Sequence, residues 1–178
     1  MNYREEMCKA MNLLRDNGYL FVGQSCKYYG TAMFSTLKDV PISQRKEFMV
    51  AEDFQLGWSI GQSLVGKKVC SLFPRMDFLI SASDQLVNHL DKIEKLSDGE
   101  FKPKVIIRTS VGSKTPINPG LQHVGDYSKE IRSMCKNIKV IELYSSELIA
   151  KSYKNALESD KSTILVEYGE LYDNVPIR

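Results

Sequence analysis

The chain has 178 residues, 43% of them hydrophobic and 26% charged, which suits one domain with a sizeable core and excludes a disordered or fibrous class. A net charge of +2, with neither sign gathered in a dominant block, gives no basis for nucleic-acid binding or for an anionic membrane partner. No window reaches the roughly 18 apolar residues of a membrane span, and "MNYREEMCKA" mixes charges where a signal peptide would be apolar.

Tyr3, Met7, Met11 and Leu14 recur at helical spacing, with Asn2 to cap the start and Gly18 to end it. "YLFVG" (19–23) reads as a short apolar strand, and residues 24–46 as loop with a short helix. "EFMVA" (47–51) is predicted as a second strand, 53–65 as a helix ending at Gly66, and "KVCSLF" (68–73) as a third strand. One long helix is expected over 79–96, then a strand "KVIIRT" (104–109) and a long loop (110–125) marked by Gly112, Pro116, Pro119, Gly120 and Gly125. A helix (126–136), a strand "IKVIEL" (138–143), a helix (145–159) and a strand "STILVEY" (162–168) follow, and "GELYDNVPIR" reads as a tail.

Short, apolar, β-branched strands alternating with helices indicate an α/β fold, a three-layer α/β/α arrangement with a mostly parallel central sheet. Ligands of such sheets bind at the carboxyl ends of the strands. That rule gathers Gln24, Glu52, Phe73 with residues 74–78, and loop 109–123 on one rim. The cluster Lys102, Lys104 and Arg108 is expected to be a solvated strand edge.

The four cysteines, Cys8, Cys26, Cys70 and Cys135, form no CxxC pair, so metal-ligand spacing is absent and reduced thiols in a cytoplasmic protein are expected. No metal site is assigned to this chain. GxGxxG, GxxxxGK[ST] and GxSxG are all missing, which removes support for dinucleotide, Walker-type and serine-elbow chemistry. Glu52 follows an apolar stretch. It reads either as a first-turn acid favoured by the helix dipole or as a carboxyl in an apolar pocket able to hold a proton. His123 is either an exposed loop histidine or a catalytic group, and His89 is expected to be structural.

The run "VAEDFQLGWSIGQSLVGKKVCSLFPRMDFLISASDQLVN" resembles the pyrimidine-binding domain of thiamine-diphosphate enzymes. The pattern is nearest to the beta subunit of 2-oxoacid dehydrogenases and more distant from transketolase. Glu52, Gly57, Gly61, Gly66, Phe73, Phe78, Asp84 and Gln85 fall at the family's offsets without a gap. "VIIRTSVG" with "GLQH", and "YLFVGQ" with "YYG", extend the resemblance over nearly the whole chain. It implies that Glu52 hydrogen-bonds a ring nitrogen of the cofactor's aminopyrimidine and so promotes loss of the thiazolium proton. It further implies that Phe78 packs on that ring, that Tyr28 lines the same pocket, and that His123 contacts substrate as an acid–base or electrostatic partner.

The departures are Gln24, where the family's beta subunit has an acid, "PRMD" at 74–77, Ser81, and a longer loop before His123. The lone Gly-Asp, in "VGDY", lacks the asparagines of the family's diphosphate-binding motif. The resemblance therefore implies a single pyrimidine-binding domain over 1–178, without the diphosphate-binding or the C-terminal transketolase domain. Thiamine diphosphate would be shared with a separate diphosphate-binding, alpha-type subunit that holds the magnesium, in a heterodimer or heterotetramer. The small-molecule substrate would be a 2-oxoacid (decarboxylation and acyl transfer) or a ketose (two-carbon ketol transfer). The alternative is a non-catalytic regulatory or scaffold subunit that retains the fold. Gly57 and Gly61, one turn apart, are expected to present a bare helix face to a partner chain or a twin.

Overall fold

The computed structural model describes residues 2–115 and 118–172. Among the described residues, six parallel strands form one sheet in the order β2-β1-β3-β4-β6-β5. They are β1 (Leu20–Gly23), β2 (Arg45–Glu47), β3 (Val69–Phe73), β4 (Val105–Val111), β5 (Lys139–Leu143) and β6 (Thr163–Tyr168). The helices are α1 (Tyr3–Asp16), α2 (Ala32–Ser35), α3 (Glu52–Leu64), α4 (Met76–Leu79), α5 (Ile93–Leu96), α6 (Ser128–Met134) and α7 (Ser146–Glu158). The α/β class is as expected, and the sheet is parallel throughout.

Alternation along the central strands sends side chains into two cores, one on each face. Phe21, Cys70, Ile106 and Leu165 meet Met7, Met11 and Leu14 of α1 and Ile149 and Tyr153 of α7. Val105, Ile107, Ile164 and Val166 meet Leu56 and Ile60 of α3, Leu86, and Ile131 of α6. Asn2 caps α1 as expected, its side chain accepting from the Glu5 N–H.

Four expectations are corrected. The second strand lies at Arg45–Glu47 rather than 47–51, because its polar ends have buried work. The Arg45 guanidinium donates to the carbonyls of Leu37, Val40 and Cys26, while the Glu47 carboxylate leaves the sheet for the loop after β1. The apolar run beyond it reaches the surface, with Met49 66% and Val50 81% exposed. The long helix over 79–96 is a broken series: α4, a 3-10 turn at Ile80–Ala82, a π-helical segment at Gln85–Leu90, and α5. Buried Asp91 accounts for the last break, since its carboxylate accepts from the Asn137 N–H and its carbonyl from the Asn137 side chain.

Arg108 belongs to no solvated edge; it is fully buried beside Glu167. The expected tail does not leave at once either. Gly169–Leu171 makes a 3-10 turn that returns Tyr172 to the core, where its ring meets Tyr3 edge-on at 5.1 Å. Pro116 of the expected loop and positions 173–178 of the expected tail lie outside the described residues. All four cysteines are free and buried. No helix among the described residues is long and apolar enough to cross a membrane.

Candidate functional site

The carboxyl ends of β1, β2, β3 and β4 form the expected rim, and helix α3 is seated against it by small residues. Gly23 closes β1 at φ +146, and a side chain there would overlap the Leu72 carbonyl and stand 3.0 Å from Gln55 Nε2. Gln55 uses that space, donating to Leu72 O at 2.9 Å and to Ser71 Oγ at 3.0 Å, and Ser59 adds a contact to Ser71 Oγ at 3.2 Å. The inward side of α3 is thus partly polar.

Its outward side is apolar instead: Phe54 is 56% exposed, Val65 just beyond the helix is 70% exposed, and Leu64 is exposed as well. Phe48 packs on Phe54 at 5.5 Å and on Trp58 at 5.8 Å, so an aromatic group flanks the start of the helix. The two glycines divide their roles. A side chain on Gly57 would meet Gln85 at 3.1 Å, whereas one on Gly61 would find nothing within 4 Å. Only Gly61 presents the bare surface expected of both.

Glu52 opens α3 in a first turn that also holds Asp53 and has no side-chain cap. Its Oε1 accepts from Gln24 Nε2 at 2.8 Å. The residue after Gln24, Ser25, is held at φ +57 because the Glu47 carboxylate accepts from the N–H groups of Ser25, Cys26 and Lys27 at 2.7, 2.8 and 2.6 Å. Glu47 therefore fixes the turn that aims Gln24 at Glu52. That link joins residues after two neighbouring strands, and it was legible only as a departure at Gln24.

Phe78 and His123 form a second pair, over β3 and β4. Their rings meet edge-on at 5.4 Å. His123 ends a short 3-10 turn, Leu121–His123, and its Nδ1 is buried without a partner. Gly112 makes this approach possible, since any side chain there would overlap the His123 carbonyl. Asp77 ties the loop down, accepting from Gly125 N–H at 3.2 Å and Tyr127 Oη at 3.3 Å. Asp77, Phe78, Ile80, Leu121, Gln122 and Tyr127 line an open cleft of about 490 Å³.

Tyr28 lies in the loop after Gln24 and is 70% exposed, so its ring is free on the surface of that loop. His89, expected to be structural, is exposed and 3.7 Å from Asp84. Arg75 is the rim residue that sequence reading passed over. Its Nε is buried without an acceptor, and the unusual "PRMD" stretch was its available signal.

No family model matches the chain. Two curated relatives are pyruvate dehydrogenase E1 component beta subunits, from Cyanidium caldarium (24% identical over 166 residues) and Chaetosphaeridium globosum (24% over 176 residues). Each match covers 89% of this chain, and the chain spans about half (49%) of the length of each relative. Among solved structures, a split-gene transketolase described as an inactive beta4 tetramer superposes with a TM-score of 0.71 over 94% of this chain and 51% of its own, at 16% identity. A transketolase from Campylobacter jejuni subsp. jejuni NCTC 11168 gives 0.70 over 92% of this chain and 25% of its own, at 14% identity. The resemblance read from the residues thus holds as a similarity: the chain is similar, at 24% identity, to pyruvate dehydrogenase E1 beta subunits and shares the fold of the two transketolase structures.

Proposed function

We propose that this chain is the pyrimidine-binding half of a thiamine-diphosphate enzyme and that a diphosphate-binding, alpha-type subunit completes its site and holds the magnesium. The observation that carries this reading is the Gln24–Glu52 pair at the head of α3, on the same rim as Phe78 and the buried, unpartnered Nδ1 of His123. A carboxyl, an aromatic ring and an orphaned imidazole suit an aminopyrimidine and a small polar substrate. When bound, the cofactor supplies a carbanion sink for cleavage or formation of a bond next to a carbonyl.

The residues of this chain have distinct tasks. Gln24 Nε2 donates to Glu52 Oε1, which leaves Oε2 to hydrogen-bond a ring nitrogen of the cofactor. Phe78 supplies an apolar wall and His123 a polar group that exchanges a proton with substrate. Tyr28 closes the loop side of the same space. Phe54, Gly61, Leu64 and Val65 form the surface that meets the partner chain, and covering them also excludes water from Glu52. The substrate is a 2-oxoacid or a ketose.

The test is co-expression with a chain carrying the GDG motif and following asparagines, then measurement of thiamine-diphosphate binding and of turnover with pyruvate and ketose phosphates. Glu52→Ala should lower turnover by about a hundredfold or more while leaving the complex intact. Unchanged turnover in that variant would overturn the reading. An assembled wild-type complex that binds no thiamine diphosphate would assign the chain to a scaffold role instead.

A further inference from the structure

Strand β2 lies at the edge of the sheet, and two of its residues, Arg45 and Glu47, grip the loop that follows β1. In the β1–β2 register Glu47 stands opposite Gly23, and the Phe48 N–H still reaches the Gly23 carbonyl at 2.9 Å. The two segments then part, one into the turn at 24–27 and the other toward Glu52. Side chains carry the pairing on from there. Glu47 accepts from the Ser25 N–H through Oε1 at 2.7 Å, and from the Cys26 and Lys27 N–H groups through Oε2 at 2.8 and 2.6 Å. Arg45 Nη1 holds the other side of the turn, donating to the Cys26 carbonyl at 3.4 Å. Further out, Gln24 Nε2 donates to Glu52 Oε1 at 2.8 Å.

Successive N–H groups converging on one point form an anion-binding concavity, and this chain fills it with its own carboxylate. Charge-assisted bonds of that length are among the strong ones. They offset the strain of Ser25 at φ +57, a region where residues other than glycine are uncommon. Cys26, fully buried, fixes the far end of the turn. Gln24 thus sits between two positive-φ residues, Gly23 at +146 and Ser25, and that backbone path directs its amide to Glu52. Without the Glu47 carboxylate, nothing offsets the strain at Ser25. The turn then relaxes, the Gln24 amide leaves Glu52, and the Glu52 carboxyl loses the bond that sets its orientation.

We propose that Glu47 is a positioning residue for Glu52, acting through the turn at 25–27 and the Gln24 amide. This rests on the function proposed above and deepens it. Glu47 touches neither cofactor nor substrate; it presets which oxygen of the Glu52 carboxyl is free before the aminopyrimidine arrives, so that no binding energy is spent on orienting it.

Heteronuclear NMR of the full chain reads the relay directly, from the side-chain amide signals of Gln24 and the backbone amide signals of residues 25–27. Glu47→Gln keeps the shape but sets an NH2 group against at least one of the N–H donors. It should move the Gln24 signals to where Glu52→Ala puts them, and Glu47→Ala should do the same. Sodium acetate, by refilling the emptied concavity, should bring the Glu47→Ala signals back. In the complex with the diphosphate-binding chain, Glu47→Gln should lower kcat about tenfold or more with KM little changed. Should the Glu47 variants not fold, Ser25 carries the test. Ser25→Val cannot rest at positive φ and should displace the Gln24 signals, whereas Ser25→Gly should not. Gln24 signals unmoved in a folded Glu47→Gln or Ser25→Val chain overturn the inference. Turnover that needs Glu52 yet is untouched by Glu47→Gln also removes this inference, and this one alone. Displaced Gln24 signals in a chain whose wild-type complex binds no thiamine diphosphate remove the function proposed above and leave the link from Glu47 to Glu52 standing.

Discussion

Two arginines, one within the sheet and one just past the end of a strand, are used in opposite ways. Arg108, in the middle of β4, is wholly buried with its donors answered inside the chain. Nε and Nη2 bond the Glu167 carboxylate, Nη2 also reaches Tyr172 Oη at 3.2 Å, and Nη1 lies 3.3 Å from Met11 Sδ. Tyr172 in turn donates to Glu167, and burial beside that carboxylate pushes its phenol well above the ordinary range, so it stays protonated. Arg75, at the end of β3, keeps a buried Nε with no acceptor. The α1–α7 face is closed by its own residues, although the Tyr153 hydroxyl within it is buried without a partner. The α3 rim exposes Phe54, Val50 and Val65 and leaves polar groups open. Charge that is fully answered within the chain holds the fold together, whereas a donor left unanswered does not.

The sharpest way to break this comparison is to delete each guanidinium in turn. Arg108→Met leaves the Glu167 carboxylate buried without its counter-charge, with the Tyr172 hydroxyl still donating to it, and should cost about 3–5 kcal/mol in urea unfolding. Pairing it with Glu167→Leu should recover most of that loss, because two apolar side chains need no compensation. Arg75→Met removes an unanswered donor and should cost under about 1 kcal/mol. Equal losses in the two single variants would show that both arginines serve the fold.

Ionisation at high pH probes the closed regions through a different chemistry. Burial pushes the thiol of Cys70 from 9.0 up to about 12, that of Cys135 up to about 11, and the Tyr19 phenol from 10.0 up to about 12. For these acids the folded value lies above the unfolded one, so the unfolded chain loses its protons first. Their contribution is therefore complete below about pH 8.5 and is lost as pH rises through 9 toward 11–12. The limiting slope is about 1.4 kcal/mol per pH unit for each group. Urea midpoints at pH 8, 9 and 10 should fall progressively, and Cys70→Ala should flatten the fall. A midpoint independent of pH over that range would show that the thiols ionise without leaving the fold.

The same division explains what could be read in the sequence. Periodic apolar spacing exposed α1, α7 and the central strands, because those residues answer only to the water-free core. Glu52 and His123 stood out as polar groups at strand-to-helix junctions, a position that the parallel-sheet rule makes informative. What escaped depends on partners far along the chain. Arg108 looked like a member of a surface cluster because Glu167, its counter-charge, lies 59 positions away. Asp91 gave no hint that Asn137 would break the helix around it, and Arg45 none that it would answer three carbonyls. Hydrogen bonds between distant residues leave no periodic trace.

The two helix glycines give the finest test, since they differ only in what faces them. Gly61→Ala adds a methyl where nothing lies within 4 Å and removes backbone freedom, so the isolated chain should gain up to about 1 kcal/mol. Gly57→Ala earns the same helical preference but must displace Gln85, which would stand 3.1 Å away, and the two effects should nearly cancel. Assembly reverses the order. Gly61→Leu should leave the lone chain folded and abolish partner association, read by sedimentation of the mixed subunits and by the emission of Trp58, the only tryptophan, which lies one turn before Gly61. Association that survives Gly61→Leu while Gly57→Leu unfolds the chain would leave Gly57 as internal packing and would move the partner surface away from Gly61 and α3.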